Sequence, residues 1–302
     1  MRNSSTQITG TNTNRLAVAA FILIVLLGGS NSVAVRFSNA ELSPFWGATL
    51  RFAAASLIFW LMALVQRVPW PRGRALTGIL IYGVLNFGLS YALVYYGLAS
   101  IPAGLGQVLF ALVPLMTLFL AIAHGLESFR WRGLVGTGIA VTGIAFAFVN
   151  QPLQNIPIFP ALAIVAAAAC FAEATIVVKW FPASHPLIAN AIAMSTGTVV
   201  LLGLSFVTGE PRILPVMPST WIAILYLVLG GSVTVFYLFL FVIRHWTASA
   251  TSYQFVLFPF VTVLVAAWLA EEQVTTALLV GGVLVLLGVW LGAIAAAAPT
   301  RE

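Results

Sequence analysis

The chain has 302 residues, of which 61% are hydrophobic and only 7% are charged, and its formal net charge at pH 7 is +6. A soluble domain carries about 25% charged residues, so this composition excludes a water-exposed surface and predicts an integral membrane protein. A strong positive charge would suggest nucleic acid in a soluble protein. Here the basic residues lie at the ends of apolar runs, so we expect no nucleic-acid partner.

Apolar runs follow one another along almost the whole chain. A membrane-spanning helix needs about 20 apolar residues, and ten runs meet that requirement. The separators between them are short and rich in proline, which leaves no room for a soluble domain. The first run has no convincing cleavage site after it, so we interpret it as a retained span. The ten predicted spans are residues 16–37, 44–65, 75–97, 102–122, 131–149, 157–180, 186–207, 219–243, 248–270 and 275–296.

The two halves of the chain repeat each other after a shift of 145 residues, which places Pro114 on Pro259 and Gly143 on Gly288. Each half contains five predicted spans. Because five is odd, the second copy enters the membrane upside down relative to the first. We therefore predict an all-α membrane fold of ten helices, built as two inverted five-helix repeats, an arrangement typical of transporters.

The predicted units follow from these boundaries. A tail of residues 1–15 precedes the first repeat, residues 16–149. The second, inverted repeat covers residues 157–296, and a tail of residues 297–302 follows it.

Basic residues orient the predicted spans. Lys and Arg are enriched on the cytoplasmic side of membrane proteins. With a cytoplasmic N-terminus, ten basic residues fall inside and three fall on or near the outer side, so both termini are predicted to be cytoplasmic, in a bacterial inner membrane. The inner set is Arg2, Arg15, Arg67, Arg72, Arg74, Arg130, Arg132, Lys179, Arg244 and Arg301, and the outer set is Arg36, Arg51 and Arg212.

Polar side chains inside the spans are the candidates for contact with a substrate, because such groups are costly in lipid and usually face a cavity. The third span carries Tyr82, Asn86 and Ser90 on one face of an α-helix. Hydrogen bonding between helices is the alternative explanation for such a stripe. The predicted lining of a central cavity is Ser30, Asn31, Tyr82, Asn86, Ser90, Tyr91, Gln107, Glu173, Tyr237, Tyr253 and Gln254.

Two charged residues inside spans have competing interpretations. Glu173 is the only carboxyl deep in a predicted span, which makes it a candidate for proton coupling or for binding a substrate amine. The alternative is an ion pair with Lys179 or an arginine that holds helices together. Arg51 either extends to lipid headgroups or binds a carboxylate.

Proline lies in the middle of the fourth and ninth predicted spans. Pro114 and Pro259 each remove a backbone hydrogen bond and are expected to kink their helices. Kinks at equivalent positions of two inverted copies are candidate hinges, and a fixed bend required by packing is the alternative. In the first span, Gly28 and Gly29 predict either close helix packing or a local break.

Other functional classes have little support in the sequence. There is no G-x-x-x-x-G-K-[ST] loop and no aspartate, which argues against nucleotide hydrolysis. A membrane enzyme would need a nucleophile beside a base, yet no histidine falls at membrane depth. Cys170 is the single cysteine, so no disulfide within the chain and no multi-cysteine metal site can form. We predict no metal and no cofactor. A purely structural protein would not need polar stripes inside both halves.

The architecture resembles the drug/metabolite transporter superfamily, and within it the EamA-type exporters. The resemblance extends over nearly the whole chain, although the first span lacks the tryptophan often found ahead of its glycine. The residues that carry it are Gly28-Gly29-Ser30-Asn31, Arg51-Phe52, Pro114 and Glu127, with Pro259, Glu272, Gly281 and Gly288 in the second half.

This resemblance implies a secondary transporter that exports small metabolites by alternating access, and the chain is most similar to exporters of amino acids, including aromatic ones. A multidrug or nucleotide-type carrier of the same fold is the alternative. The implied partners are the lipid bilayer and a small-molecule substrate, and the implied assembly is a monomer or a weak homodimer.

Overall fold

The computed structural model describes residues 5–125, 131–147, 157–246, 251, 254–271 and 274–291. Within these ranges the chain forms ten helical regions, which confirms the prediction of an all-α membrane protein with five helices in each half. Their bounds are α1 Ser5–Asn39, α2 Pro44–Val65, α3 Arg74–Leu98, α4 Ala103–Ala123, α5 Trp131–Ala147, α6 Ile158–Trp180, α7 Pro186–Val207, α8 Pro218–His245, α9 Gln254–Leu269 and α10 Thr276–Val289.

Seven of these helices, α1 to α4 and α6 to α8, are long and apolar enough over the described residues to cross a membrane. Proline starts three of them, since Pro44, Pro186 and Pro218 occupy the first helical turn, where a missing N–H costs nothing. Gly125 and Gly209 follow α4 and α7 with φ of 70° and 67°, the left-handed conformation that commonly ends a helix.

The helices α3 and α8 each contain a π-helical segment at equivalent positions of the two halves. These segments are Gly83–Ser90 in α3 and Leu229–Thr234 in α8, and the shift of 145 residues superimposes them. A π-helix forms i→i+5 hydrogen bonds, is rare, and is frequent at functional sites. Hydrophobic periodicity alone did not predict these segments.

The helices α5 and α10 pack directly on each other through the repeated glycines. A Cβ atom added to Gly143 would lie 2.7 Å from the Gly281 carbonyl oxygen, and one added to Gly288 would overlap the Gly136 carbonyl oxygen. Since Gly143 faces Gly281 while Gly136 faces Gly288, the two helices run antiparallel. The first repeated glycine of each helix therefore contacts the second repeated glycine of the other helix, as in a contact across a two-fold axis.

The other contacts between the halves are reciprocal in the same way. Helices α2 and α7 are also antiparallel partners, because the Trp46 N–H donates to Glu210 and the Trp60 indole donates to Ser195. Helix α1 packs on α8 and α9, while its repeat equivalent α6 packs on α3 and α4. The halves are therefore interleaved into one bundle, and neither half forms a separate unit.

The proline and glycine positions differ in their local effect. Helix α4 is interrupted at Ala111 and Leu112, directly before Pro114, whereas α9 continues through Pro259. Helix α1 also continues through Gly28 and Gly29, where Cβ atoms would collide with Phe258 and Val261 of α9. These two glycines thus permit close packing of α1 on α9, and the helix does not break there.

Candidate functional site

A cavity lies at the centre of the bundle, between helices of both halves. It encloses about 720 Å³, counted with its opening, and its walls come from α1 to α4, α6, α8 and α9. Because seven helices from both repeats contribute, movement of one half against the other would reshape the cavity.

One wall of the cavity is a cluster of phenylalanine rings. Phe255 is its centre, with ring centroids 4.8 Å from Phe171, 5.3 Å from Phe258 and 5.7 Å from Phe110, all edge to face. Phe239 joins the cluster 6.0 Å from Phe171. Edge-to-face packing is a favourable geometry for aromatic pairs. The cluster therefore forms a well-packed apolar wall of the cavity.

Arg51 of α2 lies at the cavity and is completely buried. Its Nε donates a hydrogen bond of 2.8 Å to the Ser232 hydroxyl, and its Nη2 donates one of 2.9 Å to the Gly231 carbonyl oxygen. Both acceptors belong to the π-helical segment of α8. The guanidinium carbon also lies 4.9 Å from the ring centroids of Phe52 and Tyr91, where cation–π attraction stabilises it.

Unsatisfied polar atoms are found at and beside this guanidinium. Arg51 Nη1, Asn31 Oδ1 and Tyr95 Oη are buried and have no hydrogen-bond partner among the described residues. Asn31 contacts the same carbonyl as Arg51, with Nδ2 3.4 Å from the Gly231 oxygen, and the Tyr95 hydroxyl interacts electrostatically with the guanidinium. Buried polar groups normally have partners, and of these three residues Arg51 and Asn31 line the cavity.

Two further hydrogen bonds at the cavity join helices. The Ser32 hydroxyl donates to Gln107 Oε1 at 2.7 Å, which joins α1 to α4. The Ser90 hydroxyl donates to the Ala167 carbonyl oxygen at 3.0 Å, which joins α3 to α6. These bonds fix the polar edge of the cavity beside Arg51.

Five of the residues predicted from the sequence line this cavity, and the structure brings them together from four helices. They are Asn31, Ser90, Tyr91, Gln107 and Gln254.

Five others lie elsewhere, namely Ser30, Tyr82, Asn86, Glu173 and Tyr237. The Ser30 hydroxyl donates to the Leu26 carbonyl of its own helix, and Tyr237 is 38% exposed on the outside of the bundle. Tyr253 falls outside the described residues.

The predicted stripe of α3 divides because of its π-helical segment. Asn86 is buried away from the cavity and donates to the Tyr82 hydroxyl at 3.2 Å, so this pair forms an internal hydrogen bond. Tyr82 and Asn86 still share a face, since they are hydrogen-bonded, and the i→i+5 bonding between Asn86 and Ser90 turns the later side chain to a different direction. Only Ser90, at the end of the segment, faces the cavity with Tyr91.

Glu173 lies at the end of the bundle that also carries Lys179, and it pairs with a histidine. Its Oε1 is 3.0 Å from His124 Nε2, and the two side chains are 26% and 30% exposed. The expected partner Lys179 instead donates to the carbonyl oxygens of Ile243 and Trp246 at the end of α8. Sequence reasoning missed His124 as the partner because it lies 49 positions away in the chain.

A second cavity of about 980 Å³ opens at the same end, between α3, α6, α7 and α8, and contains Lys179 and Arg244. A layer of aromatic rings separates it from the central cavity. Tyr82 faces the second cavity and Phe236 faces the central one, with Phe87 between them at 5.4 Å and 4.7 Å. Three rings in contact, Tyr82, Phe87 and Phe236, therefore stand between the two cavities.

Comparisons with known proteins agree with this architecture. The sequence model of the EamA-like transporter family matches the chain twice, over residues 15–149 and 158–293. An uncharacterized inner membrane transporter of Escherichia coli strain K12, YedA, is 27% identical over 260 residues, which are 85% of this chain and 83% of YedA. A probable terminal-alkyne amino-acid exporter of Streptantibioticus cattleyicolor is 27% identical over 299 residues, covering 91% and 92% of the two chains.

The fold is also found among solved structures. One crystal structure aligns over 94% of this chain and 99% of its own, with a TM-score of 0.64 at 18% sequence identity, so it shares the fold. The family match covers both halves of the chain and confirms the resemblance seen in the sequence. The chain belongs to the EamA-like transporter family and is a membrane transporter.

Proposed function

We propose that this chain is a secondary transporter that exports small metabolites, above all amino acids, by alternating access. The observation that carries the proposal is the central cavity, which is lined by helices of both halves. Rocking of two repeats around a fixed site is the usual mechanism of such folds. The relative named as an amino-acid exporter supports the substrate class.

The proposed topology is an inverted repeat with both termini in the cytoplasm. The antiparallel pairing of α5 with α10 and of α2 with α7 supports the inversion. Contacts between loops agree with ten crossings, since Glu41 meets Val216 at one end of the bundle and Lys179 meets Trp246 at the other. The excess of basic residues supports assigning the Lys179 end to the cytoplasm.

Two carboxylates close the proposed outer end of the bundle. Glu41 accepts hydrogen bonds from the N–H groups of Val216 and Met217, just before α8. Glu210 accepts from the N–H groups of Phe45 and Trp46 in the first turn of α2. Carboxylates are favourable at helix N-termini, and this reciprocal pair joins the α1–α2 turn to the α7–α8 loop. We expect these bonds to break when the outer end opens.

The proposed hinges are the proline positions of α4 and α9. The interruption at Ala111 and Leu112 supports a bending point next to Pro114. Pro259 lies buried within α9 beside Phe258 of the cavity wall, so bending there would move that wall. Proton coupling through Glu173 stays a prediction. Its contact with His124 lies at the end of the bundle that we propose to be cytoplasmic.

The test of this function is transport by the purified protein in proteoliposomes. Vesicles loaded with unlabelled amino acids are expected to accumulate labelled amino acid by exchange, with or without a pH gradient. Val94→Trp fills the central cavity and should abolish exchange, while Val199→Trp, at a position 71% exposed on the outer surface of α7, should retain it. Absence of exchange by the wild type under both conditions, or normal exchange by Val94→Trp, would contradict the proposal.

A further inference from the structure

We infer that Arg51 binds the carboxylate of the substrate, and that the cavity selects small organic acids with an apolar body and does not require an amine. This inference rests on the proposed function and deepens it by naming what the site recognises. The expected ligands therefore include apolar amino acids and also the corresponding acids without an amino group.

The hydrogen-bond inventory of Arg51 leaves a free edge on the guanidinium. Of its five N–H donors, one on Nε is bonded to Ser232 and one on Nη2 to Gly231. Nη1 has no hydrogen-bond partner within 3.5 Å in the described part of the chain, and the hydroxyls of Tyr91 and Tyr95 lie near the guanidinium at longer range. The remaining donors on Nη1 and Nη2 form the planar fork that binds a carboxylate through two parallel bonds.

The charge of the site also favours a carboxylate ligand. No carboxylate belongs to the described lining of the cavity, and the described ion pair between side chains is the distant contact of His124 with Glu173. A buried charge without a counter-ion is costly in free energy. An anion bound beside Arg51 therefore stabilises the buried guanidinium. An ammonium ion alone would add a second positive charge.

The neighbouring groups fit the rest of such a molecule. Asn31 Oδ1 lines the cavity and has no partner among the described residues, so it is a neutral acceptor that tolerates an amine but supplies no negative charge. The phenylalanine cluster around Phe255 covers another wall of the same cavity. A carboxylate at Arg51 thus leaves an apolar body to pack on that cluster.

A purely structural role for Arg51 predicts something different. Its bonds to Ser232 and Gly231 join α2 to α8, and a residue that only joined helices would affect stability without changing ligand preference. Arg36 offers a matched control. It also donates from Nη1 to a backbone carbonyl, that of Ile101 at 2.7 Å, but it lies outside the cavity lining.

The experiment compares three ligands with the same phenyl body, namely L-phenylalanine, 3-phenylpropionate and 2-phenylethylamine. Binding to purified protein is measured by titration calorimetry, because uncharged forms of the acid and the amine cross lipid without a carrier. The wild type should bind both acids and not the amine. Arg51→Gln should weaken binding of both acids at least about tenfold, since each lost bond is charge-assisted. Arg51→Lys should keep part of the affinity, and Arg36→Gln should bind as the wild type does.

The outcomes separate this inference from the proposed function. If the wild type bound the amine as tightly as the acids, or if folded Arg51→Gln kept full affinity for the acids, the inference would fall while amino-acid transport could still stand. If the wild type bound neither acid and exchanged no amino acid in proteoliposomes, both would fall. Should Arg51→Gln not fold, the wild-type ligand preference and Arg51→Lys decide the question.

Discussion

At the scale of single residues, the site depends on one divergence between the repeats. The shift of 145 residues places Asn86 on Gly231. Asn86 is buried in an internal hydrogen bond, whereas Gly231 leaves the space that Asn31 and Arg51 occupy. The sequence shows an arginine inside a span, but its orientation is set by a glycine 180 positions away, so burial of Arg51 could not be derived from local pattern.

A methyl group at Gly231 is therefore expected to weaken substrate binding. The Cβ of Gly231→Ala would overlap Asn31 Oδ1 and lie 3.2 Å from Arg51 Nη2. Gly230→Ala is the neighbouring control, since its nearest contact would be 3.4 Å from Tyr226. Calorimetry with L-phenylalanine should show an affinity loss of about tenfold for Gly231→Ala, the order expected for losing one charge-assisted bond. Equal affinities of the two variants would contradict this account of the site.

Glu41 makes stability depend on pH at the proposed outer end. The N–H groups of Val216 and Met217, which donate to Glu41, hold the pKa of this carboxyl below its usual value of 4.5. A lowered folded-state pKa means that the stabilisation is present above pH 4.5 and is lost as pH falls through the folded pKa. The difference in melting temperature between wild type and Glu41→Gln should shrink between about pH 6 and about pH 3. A difference that stayed constant over this range would show that Glu41 does not titrate in this way.

At the scale of helices, the sequence predicted where helices begin and end, but it did not predict the hydrogen-bonding pattern inside them. Proline and glycine mark the ends of helices such as α2 and α7 because of their backbone constraints, and these ends agree with the predicted spans. The π-helical segments of α3 and α8 went unpredicted because hydropathy does not distinguish π from α bonding. The predicted stripe divides within the π-helical segment of α3, since Tyr82 and Asn86 stay paired outside the central cavity while Ser90 lines it.

The contact of α5 with α10 gives a prediction at this scale. In Gly281→Ala, the added Cβ would lie 2.6 Å from the backbone of Gly143 and Ala147, which cannot move aside cheaply. Overpacking of this kind costs about 1–3 kcal/mol in free energy of unfolding. Gly138→Ala on α5 meets no atom within 4 Å and should not destabilise the protein. Thermal unfolding in detergent checks both variants, and equal melting temperatures would contradict the close approach of α5 and α10.

At the scale of the whole molecule, the duplication in the sequence is the feature that organises the fold. The odd number of predicted spans in each half predicted an inverted pair of repeats. Reciprocal contacts such as α1 with α9 and α4 with α6 fit that prediction. The cavity itself could not be derived from sequence, because its walls depend on how the two halves interleave. In the alternating access that we propose, rocking of the halves would open and close the region between the central cavity and the second cavity, where Phe87 and its neighbouring rings lie.

The most direct test of alternating access is cysteine accessibility on both sides of this region. In a Cys170→Ser background, Leu98→Cys reports on the central cavity toward the proposed outer end, and Ser184→Cys reports on the second cavity at the cytoplasmic end. Their reaction rates with a membrane-impermeant thiol reagent are measured with and without a transported amino acid. Alternating access predicts that the two rates change in opposite directions when the amino acid is added. Rates that rose or fell together, or did not change while transport continued, would contradict it.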